Sequence, residues 1–339
     1  MARRRAIVVG AGGISGAWFP PLKAERVEVA AVVDLAKDRA EAAIEKFELA
    51  GAVASDDLKG ALRKIRADFL VDLTVPEAHC EVTCAALRAG LHVISEKPMA
   101  SSMAEARRMV RASEATGKLY MVSQSRRWDA KHVTVAKTVA SGRIGTLTTL
   151  NCDFFLGAHF GGFRDAMESP LILDMAIHHF DLARMIGGGD PVRVYAEEFN
   201  PHGSWYKGDV AANCIFEMTG GVRFAYRGSW CAEGCHTSWN GDWRVIGSKG
   251  TILYDHDQEP HGEVVTGKTG FQTAKKPLKV VKGVVKYGAM HGALREMLAF
   301  LRTGRRPQCE CRDNIKSLAM VFAVMESSRK GRRVDVRGL

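Results

Sequence analysis

The chain has 339 residues, 46% hydrophobic and 25% charged, which are ordinary proportions for a globular protein of two domains and outside the range of disordered chains. No apolar run approaches the roughly 20 residues that cross a bilayer as a helix. Ala6-Ile7-Val8-Val9 behind Arg3-Arg4-Arg5 is too short for a secretory core and suits a first strand, so the expected compartment is the cytoplasm. The formal net charge of +10 comes from scattered basic residues with no base-stacking motif between them, which argues against nucleic acid and leaves a mild positive field for an anionic ligand. The eight cysteines form neither a disulfide framework nor the paired spacing of a structural zinc site, and no metal is expected.

Ala6 to Val9 runs into Gly10-Ala11-Gly12-Gly13-Ile14-Ser15-Gly16. Glycines at 10 and 12 permit a tight turn and the close approach of a pyrophosphate to a helix N-terminus, so Gly10, Gly12, Gly13 and Ile14 are candidate cofactor residues. Ser15 stands where a third glycine is usual. The next strand, Val27 to Val33, ends in Asp34, 24 residues after Gly10, near the spacing at which a carboxylate accepts hydrogen bonds from adenosine ribose hydroxyls. A carboxylate repels a 2′-phosphate, which favours NAD; Lys37 and Arg39 keep NADP open, and Arg39 is counted with the cofactor residues. In the competing reading Asp34 caps the helix from Arg39 to Phe47.

A helix over Leu58 to Ile65, the strand Phe69 to Thr74 and the turn Thr74-Val75-Pro76-Glu77-Ala78-His79 follow, then a helix from His79 to Ala89. The strand Leu91 to Ile94 leads into Ser95-Glu96-Lys97-Pro98. Proline disfavours the helical region for the residue before it, so Lys97 leaves the sheet extended, at the edge where open α/β sheets bind ligands. A helix from Ser102 to Thr116, capped by Ser101 or Ser102, and the strand Leu119 to Ser123 complete an alternation that predicts a doubly wound parallel sheet over residues 1–123.

Residues 124–339 change character. A helix from Lys131 to Ser141 precedes strands at Thr146–Leu156, Val192–Phe199, Ala211–Met218, Val222–Trp230, Asp242–Ile246 and Gly250–Asp255, which read as a mostly antiparallel sheet. Helices over Ala289–Leu301 and Arg312–Ser328 close the chain and are free to pack back on the first domain. At roughly 100 degrees per residue, Asp174, His178 and Asp181 share one helix face and His179 lies off it. One imidazole between two carboxylates is a proton-transfer unit, and its competitor is a capped helix with a surface histidine. Trp128, Phe155, His159 and Arg164, with Trp230, Trp239 and Trp243, fall in loops and strand ends; their flat faces suit sugar rings, although aromatics in a sheet domain are more often core. Arg164 and Arg126 bring acidic sugars into view.

With Gly10-x-Gly12, Asp34, Glu96-Lys97-Pro98 and Asp174-x-x-x-His178-x-x-Asp181 in this order, the sequence resembles the glucose-fructose oxidoreductase and inositol dehydrogenase (Gfo/Idh/MocA) family over essentially its whole length. The resemblance implies a Rossmann domain followed by an α/β domain with a large open sheet, often used for dimer or tetramer assembly. It implies NAD(P)-dependent oxidation of a secondary hydroxyl on a sugar or cyclitol. Carried over, Lys97 is the lysine of the Glu-Lys-Pro motif, Asp174 the helix aspartate and His178 the catalytic histidine. Thr74, Pro76 and His79 match the turn beside the cofactor, where Glu96 also falls, and Arg126-Arg127-Trp128 matches the basic and aromatic segment entering the second domain. Ser169-Pro170 departs from the family's glycines and bears on the substrate pocket. On this reading His178 takes the hydroxyl proton, Lys97 stabilises the oxygen, and Asp174 orients His178 or binds a neighbouring hydroxyl; Lys97 and His178 both stay eligible as the immediate base. The alternatives are an NAD-dependent glycosidase working by transient oxidation and elimination, and a non-catalytic dinucleotide sensor. A homodimer or homotetramer through the second sheet is the expected assembly.

Overall fold

The computed structural model describes residues 3–267 and 270–339. Its contacts divide the chain into a first unit, which takes in residues up to Ser125 together with Lys286–Ile315, and a second unit of Arg126–Val285 with Lys316–Leu339.

The first unit is built on six parallel strands, β1 (Arg5–Val9), β2 (Glu28–Val33), β3 (Val53–Ser55), β4 (Phe69–Asp72), β5 (His92–Ser95) and β6 (Tyr120–Val122), in the order β3-β2-β1-β4-β5-β6. Residues 6–9 of β1 and 69–71 of β4 are apolar and buried on both faces, which only a sheet covered by helices on each side permits. Their ends are in step: Val9 pairs with Val33 and Asp72, Asp72 with Ser95, and Ser95 with Val122. Gly10, Asp34, Leu73 and Glu96 are therefore the first residues past one edge.

Helix starts follow local chemistry. The helix expected from His79 begins earlier, at Pro76, because proline needs no N–H partner in a first turn. Ser102 rather than Ser101 caps the next helix, Met103–Thr116, by accepting from the Glu105 N–H, while Ser101 donates to the Glu105 side chain. The glycine turn does not open directly into a long helix. It passes into a 3₁₀ turn, Gly13–Ala17, and then a short helix, Phe19–Ala24, whose Pro20 and Pro21 tolerate only first-turn positions. The helix Ala289–Thr303 belongs to this unit: His291 and Arg295 both bond Glu25, and Arg4 donates to the Leu301 carbonyl.

The second unit carries a nine-stranded sheet of β7 (Leu147–Phe155), β8 (Pro191–Phe199), β9 (Ala211–Met218), β10 (Arg223–Ser229), β11 (Asp242–Gly247), β12 (Gly250–Tyr254), β13 (His261–Val265), β14 (Lys275–Pro277) and β15 (Val334–Asp335). All neighbours are antiparallel except β7 and β10. Side chains alternate. Leu150, Cys152, Phe154, Phe216, Phe224 and Tyr226 are buried on the helix-covered face, and Asn151, Asp153, Ile215 and Arg223 lie on the open one. Phe180, from the helix Ile177–Gly187, meets Phe216 edge to face at 5.0 Å, and burying such a ring contributes about 1.5–3 kcal/mol. Strands β13 to β15 were absent from the sequence expectation; they are short, and the apolar–polar alternation that marks a strand is weak in them.

Candidate active site

At the edge of the first sheet, Gly10 has a φ of +94°, and a Cβ there would lie 2.6 Å from the Leu73 carbonyl oxygen, so this turn requires glycine. At Gly12 and Gly13 a Cβ would meet nothing within 4 Å. That leaves open space beside the backbone, as a pyrophosphate needs. Ser15 is buried, and its hydroxyl donates to the Gly12 carbonyl at 2.7 Å, closing the turn where a third glycine is usual.

Asp34 is half-buried. Its Oδ2 accepts from the Ala11 N–H at 2.8 Å and its Oδ1 from the Ala36 N–H at 3.0 Å, so the carboxylate ties the glycine turn to the end of β2. The helix Lys37–Lys46 has no side-chain cap, which removes the competing capping role. Arg39 is exposed, and Lys37 pairs with Glu41. Ile14, Leu35 and Val75 expose apolar side chains, 38%, 98% and 62% of their surface, in the loops that follow β1, β2 and β4. An open glycine turn, a carboxylate with acceptor capacity left and an exposed apolar rim together fit a dinucleotide.

Two expected cofactor residues are engaged by neighbouring protein groups. His79 is fully buried, with Nδ1 2.9 Å from the Pro98 carbonyl oxygen and Nε2 3.0 Å from that of Thr74, so it fixes the turns around Lys97 and Thr74 rather than presenting an atom to a ligand. Glu96 is also buried; it accepts from the Trp18 indole N–H at 2.9 Å and the Lys97 backbone N–H at 3.2 Å. Burial pushes its carboxyl pKa up, against the Trp18 hydrogen bond and the Lys97 charge. Lys97 itself is half-exposed, next to a cis peptide bond to Pro98. Thr74 bonds Asp72 through both its N–H and its hydroxyl, and Thr83 donates to the same carboxylate. Asp72 and Trp18 were not foreseen, and a lone aspartate within the apolar run Phe69 to Leu73 is the signal that marks the first of them.

In the second unit the segment Leu171–Ala176 is π-helical and passes into the helix Ile177–Gly187. Asp174 and His178 are partly exposed, the Asp174 side chain at 16%, whereas Asp181 is 1% exposed. Asp181 is gripped by Arg127 through Nε at 2.6 Å and a terminal nitrogen at 2.7 Å, and by the Ser317 hydroxyl at 2.7 Å. The expected three-residue face is therefore corrected to two residues. Asp181 is drawn instead into contacts with Arg127 and Ser317, partners that a helical wheel does not show.

Arg164 donates through Nε to Asp174 at 2.6 Å and lies over the rings of Phe160 and Phe163, so its charge is spent on the candidate aspartate. Arg126 donates to the Trp239 carbonyl, and it reaches His179 Nε2 at 3.4 Å and the Met175 sulfur at 3.8 Å. His179 is fully buried beside Phe154, and burial followed by the Arg126 charge holds its pKa well below the usual histidine value. Trp128 is buried, which makes it packing rather than a contact surface. Phe155 falls on the strand face opposite Phe154 and His179, the open face of the sheet, so the alternation of β7 removes it from this group. His159 is exposed, stacked on Trp205 at 3.7 Å and bonded to Glu233. Trp239 and Phe160, whose rings lie 6.1 Å apart, complete the exposed aromatic surface.

Residues 4–124 match the family described as an oxidoreductase family with an NAD-binding Rossmann fold, and residues 132–253 match its GFO/IDH/MocA C-terminal domain. The chain belongs to the Gfo/Idh/MocA oxidoreductase family. Within it, the chain is 28% identical to D-apiose dehydrogenase of Paraburkholderia graminis over 92% of its own length and 84% of that protein. It is 32% identical to inositol 2-dehydrogenase of Streptomyces avermitilis over 57% and 56% of the two chains. The crystal structure of an oxidoreductase from Agrobacterium radiobacter, in complex with NAD+, L-tartaric acid and magnesium, shares the fold with a TM-score of 0.86 at 21% identity, covering 99% of each chain. The first unit is thus an NAD-binding Rossmann domain. Among the described residues, no group of three or more His, Cys, Asp or Glu side chains is placed to hold a metal ion, and no helix is long and apolar enough to cross a membrane.

Proposed function

We propose that this oxidoreductase oxidises a secondary hydroxyl of a sugar, sugar derivative or cyclitol. The observation that carries the reading is a graded exposure along one helical stretch: Asp174, paired with Arg164, and His178 keep part of their surface open, while their neighbours His179 and Asp181 are fully buried against other groups. NAD, when bound along Gly10–Ile14 and Asp34, supplies the hydride acceptor. His178 accepts the hydroxyl proton, a task suited to an imidazole near neutral pH. Lys97 donates a hydrogen bond to the same oxygen and stabilises the negative charge that develops on it. Asp174, steadied by Arg164, orients the substrate or His178. The open face of the second sheet, with Tyr195 and an exposed Ile215, is the surface proposed for a second copy of the chain.

A panel of monosaccharides, sugar acids and inositols, followed by reduced-nicotinamide absorbance with NAD and with NADP, tests the reading. Lys97→Met should then slow the hydride-transfer step by about a thousandfold, the scale of one lost oxyanion donor, while NAD affinity changes only a few fold. Unchanged turnover in that variant would remove Lys97 from the reaction. NAD binding by calorimetry with no turnover across the panel would instead support a dinucleotide sensor.

A further inference from the structure

The arginines of the second unit differ in what neutralises them. Arg127 is paired with Asp181, Arg164 with Asp174, Arg184 with Asp190 and Arg227 with Asp153. Arg126 is half-buried, yet its contacts are the Trp239 carbonyl, His179 Nε2 and the Met175 thioether, all of them neutral. Among the described residues no carboxylate bonds it directly, and Asp257 acts on it only through space; a guanidinium stays charged in a protein, and a partly desolvated charge with no bonded counter-ion is costly. Burial draws the Arg126 pKa down to about 10, which leaves it charged at neutral pH but less comfortably so. The group belongs to the candidate site by position. Met175 adjoins Asp174 in the π-helical segment, and Trp239, whose carbonyl Arg126 holds, is 47% exposed with its ring 6.1 Å from Phe160, which in turn lies under Arg164.

Resting on the oxidation proposed above, we propose that the substrate is a sugar acid, a polyhydroxy compound whose carboxylate is received by Arg126 while its apolar side lies against Trp239 and Phe160. The charge count selects a carboxylate over a phosphate ester. Within the second unit, Asp174 is already balanced by Arg164, which leaves Arg126 as the cation of this group that no carboxylate bonds, and a carboxylate brings one negative charge where a phosphate monoester brings nearly two. The planar guanidinium fork also matches the two oxygens of a carboxylate.

The test compares acids with their neutral partners: D-glucuronate with D-glucose, D-galacturonate with D-galactose, D-gluconate with D-glucitol. Each pair is measured both as kcat/KM with NAD and by calorimetry on the protein–NADH complex. Wild-type protein should favour the acid member of the pair it turns over. Arg126→Gln should cut the acid-to-neutral ratio about a hundredfold, mainly through KM, as expected for removing one partner of a desolvated charge pair. Because Arg126 also holds the Trp239 carbonyl, Arg126→Lys serves as the conservative variant, and it should keep part of the preference. Preference for the neutral member, or a ratio unchanged in Arg126→Gln, would overturn the proposal. Acids that bind the NADH complex in an Arg126-dependent way without forming reduced nicotinamide would uphold the carboxylate site and overturn the oxidation itself.

Discussion

Asp34 in the first unit takes its hydrogen bonds from the backbone N–H groups of Ala11 and Ala36, whereas Asp181 in the second takes them from the Arg127 fork and the Ser317 hydroxyl. Both are acids that the sequence marks as functional, and their surroundings separate them. A carboxylate on a turn at a sheet edge has lone pairs facing outward and stays half-exposed. A carboxylate enclosed by a guanidinium is 1% exposed and has no face left for a ligand. Backbone donors shape a turn around a ligand; side-chain ion pairs lock one element to another.

The largest expected effect of breaking that contrast falls on Asp181. Asp181→Ala leaves Arg127 buried beside an empty acceptor position, and removing one partner of a buried pair costs about 3–5 kcal/mol. Urea denaturation should show this loss. A loss below about 1 kcal/mol would mean the pair behaves as a surface ion pair does.

Asp34→Ala should act in the other place. It removes a charged acceptor from the ribose position, so NAD should bind about ten- to a hundredfold more weakly, the equivalent of about 1.4–3 kcal/mol, and discrimination against NADP should relax. Calorimetric titration with both dinucleotides checks this. If NAD affinity held while the protein lost as much stability as Asp181→Ala, Asp34 would be a structural acid like its counterpart, and the contrast between the units would fail.

The two units also differed in how far their residues could be read in advance. In the first, Gly10, Asp34 and Lys97 follow strands whose ends are in register, so counting from apolar runs places them correctly at one edge. What counting missed there is the inward use of His79 and Glu96, because a polar residue just past a strand reads the same whether it turns to a carbonyl or to a ligand. In the second unit Asp181 was read onto the face of Asp174 and His178, because composition does not show that Arg127 and Ser317 enclose it. Phe155 was chosen for its type, which suits a sugar, and only the alternation along β7 shows that its neighbour Phe154 faces His179 while Phe155 turns to the other side. Side-chain partnership, as in Arg164–Asp174, depends on loops whose path no periodicity encodes.

A third carboxyl extends the contrast to an acid with neither backbone donors nor a cation. Glu198, on β8, is mostly enclosed; its Oε1 is buried with no hydrogen-bond partner, and burial, opposed by the Ser169 hydroxyl but reinforced by Asp209 and Glu168, pushes its pKa from 4.5 up to about 7. The folded state then holds a proton that the unfolded chain releases above about pH 4.5, so the group's contribution to stability is full below that value and is lost as pH rises through about 7. Allowing for its partial exposure, the loss is about 2 kcal/mol. Glu198→Gln stays neutral throughout and keeps the hydrogen-bonding shape of the protonated acid. Its stability relative to wild type should be near equal on the acid side of that window and about 2 kcal/mol greater on the alkaline side, as measured by denaturant titration at each pH. A difference that stayed flat with pH would mean that the enclosed carboxyl titrates like an exposed one, and that the neighbouring Asp209 and Glu168 do not act on it.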